Sequence, residues 1–249
     1  MTGSLSAEQV RFFDECGYLC PLAGIPATEA SSYADKLAAY EEHLGVEPQQ
    51  YFKIKAHIAA PWMTELSRHP ALVDAVESLI GPDILLFGAS LFANKANDSR
   101  FVSWHQDSAY YGLDPHEEVT GWVALTAIRR ANGYLRVIPG THRGPNLKHD
   151  ETYDPQNLLA RGQTIRGLND SDAVALELEA GHISLHQDPT VHGSLGNDSD
   201  LARIDFAYFY MPALSCLTLV RPLRTLTPHD YSFLLVAMSS YPHCALSPL

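Results

Sequence analysis

The stretch SWHQDSAYYGL at 103–113 closes a run of β-forming residues on His105 and Asp107. Side chains at i and i+2 of a strand point to the same face. His-x-Asp therefore offers two metal ligands from one element. The tripeptide HQD returns in SLHQDPTVHGS at 184–194, as His186, Gln187 and Asp188. The two copies need different partners, so the copy that holds a metal decides which strands the fold must bring together.

For the second copy the nearest further ligand is His192, in the same or an adjoining segment, and a three-sided site from so few residues is awkward. Beyond it stand only His229 and His243, in a Pro- and Ser-rich region without a clear strand. For the first copy, His192 lies far downstream in a separate strand, with several strands between, so the ligands meet across a barrel. Two histidines and one carboxylate on one face of the metal form the set used by non-haem Fe(II) oxygenases. Arg203 follows on the strand after the GNDSD turn. Its planar fork suits the far carboxylate of a dicarboxylate co-substrate, and Ser194 adds a hydroxyl. The competing readings are zinc held by the same ligands and an ion pair of Arg203 with Asp200 or Asp205.

The chain around these residues divides in two. SAEQ at Ser6–Gln9 is a capping box opening a helix. A second helix spans about Thr28–Leu44 and stops at Gly45, and a third runs Pro70–Ile80 before Gly81-Pro82. After residue 82 come short β-branched and aromatic segments: DILLFGASLF, RFVSWHQD, VTGWVALTAI, GYLRVI, AVALELEA, HISLHQ and RIDFAYFYM. Turn signals such as Asn132-Gly133 and Gly196-Asn197-Asp198 separate them. One domain over 1–249 is expected, mainly β with flanking helices: a helical part of about 1–81 and a barrel of about 82–215. The polar stretch Gly144–Asp172 reads as a long excursion over the barrel mouth.

The chain has 249 residues and a net charge of −12, which repels phosphate backbones and anionic lipid. Nucleic-acid and membrane partners are not expected; a small-molecule substrate is. Cys16, Cys20, Cys216 and Cys244 form no C-x-x-C pair and read as reduced thiols. No signal-type N-terminus is apparent, and ILLFGASLFA is too short and interrupted to span a bilayer. A cytoplasmic protein is expected; nothing in the sequence sets an oligomeric state.

Taken together, His105-x-Asp107, His192-Gly193-Ser194 and Arg203 resemble the phytanoyl-CoA dioxygenase (PhyH-like) family of Fe(II)/2-oxoglutarate-dependent oxygenases. SAEQVRFFDECGYL, the run from FANKANDSRFVSWHQD through RVIPGTH, and HISLHQDPTVHGSLGNDSDLARI carry the likeness over most of the chain. It implies a double-stranded β-helix, the jelly-roll or cupin-like barrel. It implies Fe(II) on His105, Asp107 and His192, the distal carboxylate of 2-oxoglutarate on Arg203 and Ser194, and O2 as oxidant. Leu91 and Trp122 match positions lining the co-substrate pocket, Lys55 matches more loosely a lysine reaching it, and Gln106 is frequent between the first two ligands. Halogenating members lack the carboxylate; Asp107 is present here, which implies a hydroxylase. Trp104, Tyr110, Tyr111 and Phe209 are candidate pocket walls. His186 is a candidate pocket neighbour if it shares a strand with His192, and an inward Arg136 would suit an anionic substrate. The implied reaction is oxidation of an unactivated C–H bond of a small metabolite, in specialised metabolism; a zinc hydrolase and a non-catalytic ligand-binding barrel are the alternatives.

Overall fold

The computed structural model describes residues 4–218 apart from 54, 114, 160 and 161. His229, His243 and Cys244 lie outside the described residues. Helix α1 (Ala7–Cys16) opens with the expected capping box: Ser6 Oγ accepts from Gln9 N–H, and Gln9 Oε1 accepts from Ser6 N–H. It closes on Gly17, whose φ of 80° is a left-handed cap that glycine adopts at little cost. Strand β1 (Tyr18–Leu22) follows, then α2 (Ala27–Leu44), α3 (Pro48–Tyr51), α4 (Ala56–Ala59), α5 (Pro61–Ser67) and α6 (Pro70–Ile80). The remaining elements are β2 (Ile84–Asn94), β3 (Val102–His105), α7 (Ser108–Tyr111), β4 (Val119–Ala124), β5 (Leu135–Val137), β6 (Val174–Leu176), β7 (Ile183–Gln187), β8 (His192–Ser194) and β9 (Arg203–Pro212).

The strands form two sheets, β1-β7-β4-β9-β2 and β3-β8-β5-β6, and every pairing within them is antiparallel. Period-two alternation gives the larger sheet two unlike faces. In β9, Phe206, Tyr208 and Tyr210 join Leu37, Met63, Leu66, Leu72 and Val76 of the helices in one core. The Tyr208 and Tyr210 hydroxyls donate to the carbonyls of Met63 and Ser67, which pins α5 to the sheet. The opposite face carries Tyr18, Trp122, Ala124 and Ala207 against Leu135, Val137 and Leu176 of the smaller sheet. A third cluster, Trp104, Ile138, Ile165 and Val191, packs apart from these two. The excursion joins it through Ile165, whose N–H donates to Trp104 O, and through a bridge of Asn157 to Phe101.

Three expectations change. Tyr18–Leu22 is a strand, not the tail of a helical region. It sits at the sheet edge, where Pro21 is tolerated, and its partner β7 is too distant in sequence to be read. The second HQD and His192 do not share a strand. The Asp188-Pro189 turn separates them, with β7 in the larger sheet and β8 in the smaller. Leu91 faces the helices, fully buried with Phe52 and Met63, because its neighbours Ser90 and Phe92 take the opposite face. Leu91 therefore does not line the barrel interior. Leu91→Ala should cost about 2–5 kcal/mol of stability in urea unfolding while leaving 2-oxoglutarate affinity unchanged; a selective loss of that affinity would contradict the assignment.

Candidate metal and co-substrate site

β3 and β8 pair with His105 opposite His192. The chain then turns out of β3, and Asp107 stands at the head of α7. Asp107 Oδ1 lies 3.4 Å from His105 Nε2, and its Oδ2 lies 3.9 Å from His192 Nε2. Three donors bound to one metal at about 2.1 Å stand about 3 Å apart, so a small inward adjustment completes the set. Among the described residues this is the one grouping of three candidate ligands. Each imidazole faces a backbone carbonyl through Nδ1, His105 to Ser103 O and His192 to Thr190 O, both at 2.9 Å. A carbonyl only accepts, so Nδ1 carries the proton and Nε2 is left as the metal donor. Burial, and then the His105 and His186 charges, push the His192 pKa well below its ordinary value. Burial alone would raise Asp107, but His192 and His105 outweigh it and its pKa is lowered. A neutral His192 imidazole beside an ionised Asp107 carboxylate is the protonation pattern a metal requires, and the donor set suits Fe(II).

The second HQD serves the other sheet. His186 points into the barrel, fully buried, its ring 4.5 Å from that of His192 and 6.4 Å from Trp122. Neither of its nitrogens has a hydrogen-bond partner among the described residues. Burial pushes its pKa down to about 4. Asp188 pairs with another buried acid across the sheet: its N–H donates to Glu118 O, and Thr120 Oγ1 donates to Glu118 Oε1 at 3.1 Å. Burial, with Asp107 adding, pushes Asp188 up to about 8; burial, Asp188 and Asp107 raise Glu118 well above the carboxylate range. The basic group beside Asp188 is His116, at 3.2 Å and partly exposed. Sequence reasoning missed Glu118 because only the pairing of β4 with β7 brings it to Asp188.

Arg203 is fully buried at the start of β9. Its Nη1 donates to Gly133 O, its Nη2 donates to Asn94 Oδ1 at 3.0 Å, and its Nε lies 3.0 Å from Asp205 Oδ2. The ion pair with Asp205 thus exists, but inside the barrel rather than on the surface. Of the five N–H groups of a guanidinium, one on each of Nη1 and Nη2 remains for a further acceptor. The Ser194 hydroxyl and the Trp122 indole N–H are buried without partners among the described residues, and Trp122 stacks on Phe92 at 4.9 Å. Orphaned buried polar atoms are rare in folded proteins. Here both stand on inward-facing strand positions, Ser194 opposite Leu135 and Trp122 within the inner cluster, as a polar ligand in the barrel would require.

Other expected residues divide by strand face. Tyr110 stands 6.1 Å from the His105 ring, and Tyr111 packs on Phe209 and Phe87 at 5.5 and 5.3 Å. These aromatic groups gather at the metal side. Trp104 and Arg136 do not. Arg136 lies opposite Gly193 while its neighbours Leu135 and Val137 face the core. Its guanidinium covers the Trp104 ring at 4.1 Å, and both side chains bind Asp170. The alternation that turns His105 inward turns Trp104 outward. Gln106 is a clamp: Nε2 donates to Pro189 O, Oε1 accepts from Leu147 N–H, and its own N–H donates to His149 Nε2. It ties the excursion and the second HQD turn to the metal strand, and its amide is committed there rather than to a co-substrate. Lys55 has a left-handed backbone (φ 56°) between α3 and α4, and burial lowers its pKa.

Residues 13–204 match the family model of phytanoyl-CoA dioxygenase (PhyH). A probable phytanoyl-CoA dioxygenase of Caenorhabditis elegans is 27% identical over 79% of this chain and 72% of its own length. A probable alpha-ketoglutarate-dependent hypophosphite dioxygenase of Stutzerimonas stutzeri is 26% identical over 59% of this chain, which spans about half (52%) of that relative. Among solved structures, the non-heme monooxygenase ThoJ in its apo form superposes with a TM-score of 0.72 at 31% identity, covering 82% of this chain and 77% of ThoJ. The chain belongs to the phytanoyl-CoA dioxygenase family of Fe(II)/2-oxoglutarate-dependent oxygenases, and its His105–Asp107–His192 grouping could hold the metal.

Proposed function

We propose that this chain hydroxylates an unactivated C–H bond of a small metabolite in specialised metabolism, in the cytoplasm, with His105, Asp107 and His192 holding Fe(II) and Arg203 and Ser194 holding 2-oxoglutarate. The observation carrying the reading is the pairing of two half-sites: three convergent metal donors, and a buried guanidinium with spare donors on the facing sheet. Bound iron with 2-oxoglutarate and O2 supplies the oxidising power, and succinate and CO2 leave. The protein's work is placement. The Ser103 and Thr190 carbonyls aim the imidazoles, and Tyr110, Tyr111, Phe209 and His186 wall the space beside the metal. Asp107 keeps a carboxylate where a halide would otherwise bind, which supports hydroxylation over halogenation. A zinc hydrolase has no use for the buried cation.

Charge narrows the substrate. Glu118 and Asp188 lie buried near Asp107, while Arg136, which would suit an anionic substrate only if it faced inward, lies outside. With their pKa values raised by burial, these two carboxyls are largely neutral, and an interior with no inward cation beyond Arg203 among these residues is a poor receptor for a phosphate-bearing thioester and favours a neutral metabolite. Tyr111, whose pKa burial and then Asp107 raise far above its ordinary value, stays a neutral donor at this wall.

Anaerobic addition of Fe(II) and 2-oxoglutarate should produce a metal-to-ligand charge-transfer band in the visible; bound metal without the band would contradict the reading. Asp107→Ala should lose iron and turnover, whereas Asp188→Asn should retain about one iron per chain by metal analysis after gel filtration. The reverse pattern would transfer the metal to the second HQD.

A further inference from the structure

Arg203 and Asp205 stand two residues apart on the inward face of β9, both fully buried, and the Asp205 carboxylate meets Arg203 Nε at 3.0 Å with no other donor among the described residues. Asp205 is paired in register with Phe92 of β2 and Ala124 of β4. Arg203 next to it faces Asn94 of β2 and the Gly133 turn, which abuts the backbone of Leu195 and Gly196. None of these neighbours titrates, so the resident charges are one guanidinium and one carboxylate. The pair is balanced as it stands. A 2-oxoglutarate molecule docked on Arg203 brings a second carboxylate to the same cation in a dry interior. Two buried carboxylates on one guanidinium leave a net negative charge, which is costly in a low-dielectric site. A proton on one of them removes it.

We propose that Asp205 takes up one proton from solvent when the distal carboxylate of 2-oxoglutarate docks on Arg203, so that co-substrate binding is proton-coupled in this chain. The inference rests on Arg203 as the anchor for that carboxylate. In the free protein, burial pushes the Asp205 pKa up to about 7, with Arg203 pulling the other way. A docked carboxylate raises it further, since like charges disfavour ionisation. The sign follows: binding is tightest below the free-state value and weakens as pH rises through it. Asp205 also separates co-substrates, because a 2-oxo acid without a distal carboxylate leaves the pair balanced and needs no proton.

The test is anaerobic titration calorimetry of the Fe(II)-loaded enzyme at pH 8, in HEPES and in Tris, whose different ionisation heats report the protons exchanged. Wild type should take up most of one proton with 2-oxoglutarate and none with 2-oxobutyrate. Asp205→Asn keeps the shape and an acceptor for Arg203 Nε but should take up none with either. The 2-oxoglutarate Kd of wild type should rise severalfold between pH 6 and pH 8 and stay flat in Asp205→Asn. The metal ligands are common to both proteins, so their own protonation cancels. Equal proton uptake by wild type and Asp205→Asn overturns the inference and leaves the oxygenase reading intact. If the variant does not fold, equal uptake by wild type with the two oxo acids overturns it. Failure of wild type to bind 2-oxoglutarate at all removes the Arg203 anchor, and the inference with it.

Discussion

The register of β3 against β8 governs the rest of the site. With His105 opposite His192, both imidazoles face one point, and the turn leaving β3 brings Asp107 to the same point. Slipping β3 by one residue against β8 would turn the His105 ring to the far side of the small sheet, where Trp104 and Arg136 now lie, and leave His192 without it. The register is held from several directions. Gln106 bonds Pro189 and Leu147, Ser108 N–H bonds Asp188 O, and Thr190 Oγ1 bonds Gly17 O next to α1. Gly193, between the inward residues of β8, leaves no room for a side chain: a Cβ there would meet Val102 O at 2.8 Å. The small sheet thus supplies ligands, and the large sheet with its helices supplies rigidity.

Along the inner face of the large sheet the charges fall into three zones. Arg203 and Asp205 form a balanced pair where β9 begins. Trp122, Ser184 and His186 follow as neutral polar groups without partners among the described residues, and Glu118 and Asp188 stand beyond them. Burying this many polar groups does not serve stability, since apolar replacements would pack as well at less desolvation cost. Their retention makes sense where ligands complete them.

Much of this was legible in the sequence. Residue type and spacing single out His105, Asp107, His192 and Arg203, and the structure brings the first three together. Caps and turns gave the helices at 7–16, 27–44 and 70–80, since those signals act within a few residues. What escaped depends on pairing between distant strands. The resemblance puts Leu91 on the pocket face, and the face of Arg136 stays open in the sequence, because a strand's period marks two faces without saying which one looks inward. Glu118, Asn94 and the burial of Asp205 emerge only from the registers of β4, β2 and β9. His186 was linked to His192 through an unbroken strand. The two rings do meet, but across the gap between sheets.

The central claim is that the first HQD and the distant His192 hold the metal while the facing sheet anchors the co-substrate. A crystal structure of the enzyme grown anaerobically with Fe(II) and 2-oxoglutarate, with data collected at the iron edge, tests it most directly. The account predicts one anomalous peak bounded by His105, Asp107 and His192, with the distal carboxylate of 2-oxoglutarate on Arg203 and Ser194. Iron against His186 and Asp188, or a carboxylate placed away from Arg203, would contradict it.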